Sequence, residues 1–468
     1  MLRPSLRRSI TQMVNFSDLN FIFRFLPVFL IVYYVTPTKF RTWTLLLGSL
    51  LFYAVGDLRM FPALFVAVVV NFFFSKAQFA EKSKSLLLFI VAIDAGMLLE
   101  FKILGQFVDS ALLPVGISFY IFKMIAYQMD VYSGKIKEDA SFLGVATYFC
   151  MFPQIVSGPI MRYEKFLDNP MLEDNGKKIT LLQIAEKIED GLRYFVVGLA
   201  MKVLLADHLS MLWKDIGTIG YESISTPLAW LGAVTYTLEL YYDFWGYSLM
   251  AAGIGVMLGF PFITNFDQPY ASGSVSEFYR RWHATLGSWF RDYIYFPMGG
   301  SRKGDFRTVI NLLVVWLITG IWHGITPNFI IWGMSLFVII VVERFIIFKK
   351  LPKILGKIIG KINVLILIPL TWVVFAISDL DMLLVYFTRL FPFFGQGIAV
   401  NENDFSKNIG VYWMILLPSL ILLIPNIYEG WVNSRRKVIY TIIWIVMFWA
   451  CIYSLSGTAG NPFMYFRF

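Results

Sequence analysis

The sequence predicts an all-α polytopic membrane protein, and three observations carry that prediction. Of 468 residues, 58% are hydrophobic, 18% aromatic and only 15% charged, where a soluble domain carries about a quarter charged residues. The apolar residues form continuous runs and not the alternating pattern of a membrane β-barrel. One soluble core stops growing near roughly 250–300 residues, and no polar stretch here is long enough to separate two cores.

The runs open with Phe25–Tyr34, Leu45–Val55, Phe61–Phe74 and Leu86–Leu99. Later come Phe195–Leu205, Ala229–Leu240, Ser248–Phe262, Val309–Ile318, Phe329–Val342, Val364–Ile377, Val411–Ile424 and Val438–Leu455. A helix needs roughly 20 predominantly apolar residues to cross a bilayer, and most runs reach that with their neighbours, giving about 10 to 12 membrane segments, some re-entrant. The chain reads as one integral membrane domain over residues 1–468. Within it, residues 1–15 are a basic N-terminal segment, and translation starts at Met1 or at Met13. Residues 162–193 are an interfacial region whose Ile179, Leu182, Ile184, Ile188 and Leu192 have helical spacing. Residues 274–300 are a non-spanning helix and loop, and residues 378–409 a second loop region holding FPFFGQG and NENDF.

The 40 Lys+Arg against 31 Asp+Glu give a net charge of +9. In such a chain this excess marks cytoplasmic loops and not a nucleic-acid surface. The cluster from Arg344 to Lys361 is the clearest such loop. Cys150 and Cys451 are too few for a disulfide framework and read as packing residues. No matched pair of Gly/Pro-broken spans suggests an inverted-repeat transporter.

The chemistry gathers where charge enters the apolar background. Ser276–Gly300 reads SEFYRRWHATLGSWFRDYIYFPMGG. Ser274 and Glu277 fit a capping box, so a helix from about Val275 to Tyr293 follows. Phe278, Trp282, Leu286, Trp289, Phe290 and Tyr293 share its apolar stripe, with Arg280, Arg281 and Arg291 largely off it. A central arginine costs at least roughly 2.5–3.5 kcal/mol in hydrocarbon, so this helix lies at the interface or dips into the protein. The arginines either snorkel to headgroups or hold an anionic substrate. His283 is either a hydrogen-bonded interface histidine or part of a site.

His323 lies at the end of an apolar span, NLLVVWLITGIWHG, between Trp322 and Gly324. An imidazole held in the membrane is a functional candidate by default, and it titrates near neutrality, so it suits a general base. Gly320 and Gly324 are positioned to leave room for substrate beside the ring. His208 has no comparable company and is expected near a helix end. Asp243, one turn after Glu239, either orients a histidine, holds an arginine or forms a structural ion pair. FPQIVSGPIMR, residues 152–162, reads as broken backbone buried in protein or lining a cavity. GGSRKG, residues 299–304, reads as a basic turn before a phosphate cradle.

Together these stretches resemble the membrane-bound O-acyltransferase family, and its bacterial alginate O-acetylation branch more than its teichoic-acid D-alanylation branch. The likeness runs through FSDLNFIFRFLPVFLIVYY, FPQIVSGPIMR, YYDFWGYSLMAAGIGVMLGF, NFDQPYASGSVSEFYRRWHATLGSWFRDYIYFPMGGSRKG and INLLVVWLITGIWHGITPNFIIWG. It covers about residues 16–333 in order, more weakly beyond. The chain departs from the alginate type at Phe375-Ala376-Ile377-Ser378, where an arginine is common.

The resemblance implies a ring of tilted helices around a thin central region crossed by a tunnel. It implies His323 as the catalytic histidine and His283 beside the tunnel. Arg280, Arg281, Trp282, Arg291, Asp292, Asp243 and Trp322 are then substrate or tunnel candidates. The expected activity is transfer of an acyl group, acetyl from cytoplasmic acetyl-CoA, for O-acetylation of a cell-surface or exported polysaccharide. Acetyl-CoA or another acyl donor is a co-substrate, with no bound cofactor and no metal expected. Members of this branch work with an extracytoplasmic SGNH-type acetyltransferase partner, in the bacterial cytoplasmic membrane. D-alanyl transfer to teichoic acid, a proton-coupled transporter or flippase using His283, His323, Asp243 and Glu239, and a scaffold for a secreted enzyme are the alternatives.

Overall fold

A computed structural model describes residues 15–172, 179–391, 401–425, 427 and 438–457. The possible starts at Met1 and Met13, and most of FPFFGQG, lie outside the described residues. Among those described, the regular structure is helical throughout. Among the described residues, seven helices are long and apolar enough to cross a membrane: Phe61–Ala80, Ser110–Tyr132, Leu181–Ile219, Asp305–His323, Pro327–Lys350, Lys353–Ala376 and Val438–Gly457. Exposed large apolar residues such as Val28, Leu47, Phe73 and Val446 line the helix exteriors, as a hydrocarbon solvent requires.

Contacts gather into two compact units. The first holds Met1–Leu199, Gly246–Thr264 and Ile443–Arg467. Its helices are tied by buried polar side chains. Gln128 donates to the side-chain oxygen of Asn71 at 3.0 Å, and Asn71 donates to Asp94 at 2.9 Å. A Cβ at Gly191 would lie 2.4 Å from the carbonyl of Gly253, and one at Gly198 equally close to that of Gly246. These small residues let two helices approach backbone to backbone, as membrane helices do without a hydrophobic drive between them. FPQIVSGPIMR forms one short turn, Phe152–Ile155, and then non-helical backbone that is buried up to Met161. Its broken backbone therefore sits inside protein, as expected. Cys150 and Cys451 are free and buried.

The second unit holds Ala200–Trp245 and Asn265–Ile442. Its centre is the hairpin of Asp305–His323 and Pro327–Val342, with Ile368–Ala376 beside it. Three expectations change here. The Arg344–Lys361 cluster is not a loop but helix ends, with only the Leu351–Pro352 turn between them. Residues 378–409 are not all loop either. Asp379 accepts from the N–H groups of Asp381 and Met382 and starts a helix over Leu380–Leu390, as a side-chain cap does. The amphipathic stretch begins its helix at Leu181, beyond Ile179, and continues through a π-turn at Met201–Ala206.

Candidate functional site

The capping box at Ser274 forms with one change of partner. Ser274 Oγ accepts from Glu277 N at 3.0 Å, but Glu277 Oε2 accepts from Gly273 N at 2.9 Å. That bond, more than the Arg281 guanidinium, holds the Glu277 carboxyl below its usual range. Glu343, fully buried, accepts from Val275 N at 2.9 Å and from Asn363 Nδ2 at 3.0 Å. It anchors the start of the helix by placing a carboxylate at its positive end. Sequence reading passed over Glu343, which stands at the end of an apolar run.

The helix then does not reach Tyr293 unbroken. It ends at Arg281, Trp282 is extended, and His283 sits at φ 45°, before a second helix over Ala284–Phe290 and a π-turn over Arg291–Tyr295. The cause is a clamp from the preceding loop. Asn265 O accepts from Ala284 N at 2.8 Å, and Asp267 N donates to Arg281 O at 3.0 Å. The side chain of Asn265 accepts through Oδ1 from Thr285 N at 3.3 Å and Thr285 Oγ1 at 2.8 Å, and lies 3.0 Å from His283 Nδ1. Histidine is among the few non-glycine residues that tolerate the left-handed region. The apolar stripe survives the break: Phe278, Trp282, Leu286, Trp289, Phe290 and Tyr293 are all buried.

His283 is 3% exposed, and burial holds its imidazole down at about 3. It is neutral at any physiological pH. Its ring meets Phe244 edge-on at 4.7 Å.

His323 ends the Asp305–His323 helix and is 6% exposed. Its ring lies in an aromatic enclosure: Trp322 at 4.4 Å, Trp332 at 4.9 Å and Phe375 at 5.1 Å, the last two nearly perpendicular. Asn328 Nδ2 donates to Phe375 O at 3.1 Å and ties that wall to the hairpin. Trp332 stacks on Trp372 at 5.7 Å, and Trp372 meets Trp282 at 5.0 Å. Trp372 Nε1 donates to Tyr270 Oη at 3.3 Å. Trp332 and Trp372 thus link the ring of His323 to Trp282, the residue before His283.

Gly320 and Gly324 do not leave room for substrate beside the ring. A Cβ at Gly320 would stand 2.7 Å from Phe329 O, and one at Gly324 2.4 Å from the Phe329 ring. These glycines let the two hairpin helices close.

The structure brings Trp282, His323 and Trp322 to this aromatic cluster, while the ring of His283 faces Asn265 and Phe244. Arg280 is exposed; Arg281 pairs with Glu277 at 2.8 Å, and Arg291 with Asp292 at 2.8 Å, on the accessible side. Asp243 pairs with Lys202 at 2.8 Å, and Lys202 also reaches Asp207 at 2.6 Å. This is the ion-pair reading of Asp243, with a partner that sequence spacing did not suggest. Glu239 is buried one turn away. His208 lies beside that group, its Nδ1 3.1 Å from Val203 O. GGSRKG is a turn with Gly299, Gly300 and Gly304 at positive φ and Arg302 and Lys303 exposed. Sequence reading missed Asn265, Trp332, Trp372 and the role of Phe375. An aromatic stripe looks the same whether it packs a core or walls a site.

The fold is that of a multi-pass membrane protein, and the chain is a member of the membrane-bound O-acyltransferase family. The family profile matches residues 135–349. Among its relatives is a probable alginate O-acetylase, AlgI, of Pseudomonas putida, 32% identical over 97% of this chain and 100% of that one. The peptidoglycan O-acetyltransferase of Helicobacter pylori is 31% identical over 78% of this chain and 77% of that one. The teichoic acid D-alanyltransferase of Bacillus subtilis is 28% identical over 47% of this chain and 56% of that one. The protein is an O-acyltransferase, and its likeness to the O-acetyltransferases extends further along the chain than its likeness to the D-alanyltransferases.

Proposed function

We propose that the protein passes an acetyl group from cytoplasmic acetyl-CoA across the bacterial cytoplasmic membrane for O-acetylation of a cell-surface or exported polysaccharide. The observation that carries this reading is the burial of His323 in a wall of Trp322, Trp332 and Phe375. An aromatic enclosure excludes competing water and keeps a thioester from hydrolysis. In this reading His323 takes the proton of the attacking hydroxyl, a carbon–oxygen bond forms at the acetyl carbonyl, and the carbon–sulfur bond breaks. The proton then passes from His323 to the leaving thiolate, so the exchange balances with no net acid or base. His283 accepts a hydrogen bond that places the substrate. An extracytoplasmic SGNH-type protein would receive the acetyl group, a partner that only the family resemblance of the sequence implies.

The test is the O-acetyl content of surface polysaccharide in cells carrying wild type or His323→Ala at equal membrane level. Loss of a general base lowers the rate about 10²–10⁴-fold, so acetylation should fall to background. Unchanged acetylation would remove His323 from the chemistry. D-alanyl transfer would be favoured instead if labelled D-alanine, and not labelled acetate, reached the polymer.

A further inference from the structure

Asn265 stands in the loop before the RRWH helix and is 3% exposed. Its side-chain oxygen can be told from its nitrogen. Thr285 N–H is a backbone donor and cannot accept, so the amide atom it faces at 3.3 Å is the oxygen. That oxygen has no hydrogen to give. The His283 Nδ1 lying 3.0 Å from it must therefore carry the proton. A neutral imidazole with hydrogen on Nδ1 bears its lone pair on Nε2. The Nε2 atom is buried and has no hydrogen-bond partner within the protein, and the same holds for Asn265 Nδ2. A buried polar atom without a partner costs about 1–3 kcal/mol, so both atoms favour a polar ligand group.

We propose that Asn265 is a positioning residue for acyl transfer: it fixes His283 as the Nδ1–H tautomer, so that His283 Nε2 serves the substrate as a hydrogen-bond acceptor, never as a donor. The proton-bearing group it would receive is a hydroxyl or thiol of the reacting molecules, a role that rests on the acyl-transfer reading above. The tautomer does not rest on that reading. The division of labour follows. A ring whose acceptor face is fixed by a neutral amide holds substrate, and proton transfer is left to His323. Orienting partners of this kind set the tautomer of functional histidines elsewhere.

The chain has only three histidines, so nitrogen NMR of the full-length protein labelled with ¹⁵N-histidine in nanodiscs can resolve each ring. His283→Gln identifies the His283 signals. At pH 7 the wild type should show His283 neutral with hydrogen on Nδ1 alone, unchanged down to about pH 5. An Nε2–H tautomer or an imidazolium there overturns the proposal, whatever the protein transfers. Asn265→Asp keeps all three acceptor bonds but adds a negative charge beside Nδ1, which favours the imidazolium. It should keep the tautomer at high pH, and on acidification the His283 imidazolium should appear in the nitrogen spectrum at a pH at least one unit above that of wild type. A His283 nitrogen titration superimposed on wild type overturns the proposal. Asn265→Leu should lose the single tautomer and at least tenfold in rate; an unaltered His283 spectrum in that variant also overturns it. Where Asn265→Leu does not insert, the Asn265→Asp titration decides. Absence of acetyl transfer in wild type with the expected wild-type spectrum would reject the proposed reaction and leave the tautomer standing.

Discussion

Gly320 is where a single methyl group should separate activity from stability. Its Cβ would stand 2.7 Å from Phe329 O, about 0.7 Å short of the 3.4 Å at which ordinary contact begins. The obstructing atom is backbone and cannot rotate away. Gly333 faces the same crossing, with its own Cβ position 2.6 Å from Trp316 O. In Gly320→Ala the two hairpin helices must part, and His323, three residues on, moves with its helix end. Overpacking costs about 1–3 kcal/mol, and replacing a helical glycine by alanine returns up to about 1 kcal/mol. The net loss of stability should therefore be about 0–3 kcal/mol. Misplacing a reacting group by about 1 Å can cost roughly 100-fold, so acetyl transfer per inserted molecule should fall on the order of tenfold or more. Gly96→Ala is the control, because nothing lies within 4 Å of its Cβ position. The assays are thermal unfolding in detergent and O-acetyl incorporation normalised to protein in the membrane. If Gly320→Ala matched Gly96→Ala in both, the close crossing would not be what holds His323.

Two further outcomes follow from buried charge. Burial holds His283 at about 3, against about 6.5 in the unfolded chain. Between these values the unfolded state binds a proton that the folded state refuses, so stability is level above pH 6.5 and falls as pH drops below it. The loss should be about 1.4 kcal/mol by pH 5.5. Thermal melts of wild type and His283→Gln across pH 5–8 should diverge only on the acid side; parallel curves would show the ring to be accessible to protons. Lys202→Met leaves the buried Asp243 and the half-buried Asp207 without their shared cation and should cost about 3–5 kcal/mol. Asp243→Asn should cost less, since Lys202 keeps Asp207 at 2.6 Å, and the order of melting temperatures checks this.

The fold class was legible because long apolar runs have almost no other solution in a chain this size. The burial of FPQIVSGPIMR, the cap at Ser274 and the burial of the stripe from Phe278 to Tyr293 were legible for the same reason, since each follows from local chemistry. The break at His283 was not. It has no proline or glycine to announce it, and it is imposed by Asn265, eighteen positions earlier. Nor was the Lys202–Asp243 pair, whose partners are brought together only by helix packing. The glycines beside His323 show a related limit. A small residue marks a close approach in sequence, but whether helix or substrate approaches is decided by tertiary structure, and here it is Phe329.

The break itself explains why RRWH carries such dissimilar residues side by side. On a continuous helix successive side chains turn by a fixed step of about 100°, so the direction of each is set by that of the residue before it. The extended Trp282 followed by the left-handed His283 releases that constraint. Trp282 turns into the tryptophan cluster against Trp372, while the next ring goes to Asn265 and Phe244. Arg280 and Arg281 remain on the accessible side, the latter held by Glu277. A strained residue of this kind costs about 1–3 kcal/mol and persists only where its surroundings over-determine it. Here the surroundings are the main-chain bonds from Ala284 and Asp267, the three donors gathered on Asn265 Oδ1 and the buried stripe on both sides of the joint. Packing alone would be served as well by an unbroken helix. The joint adds a second direction for an imidazole, toward Asn265 and Phe244.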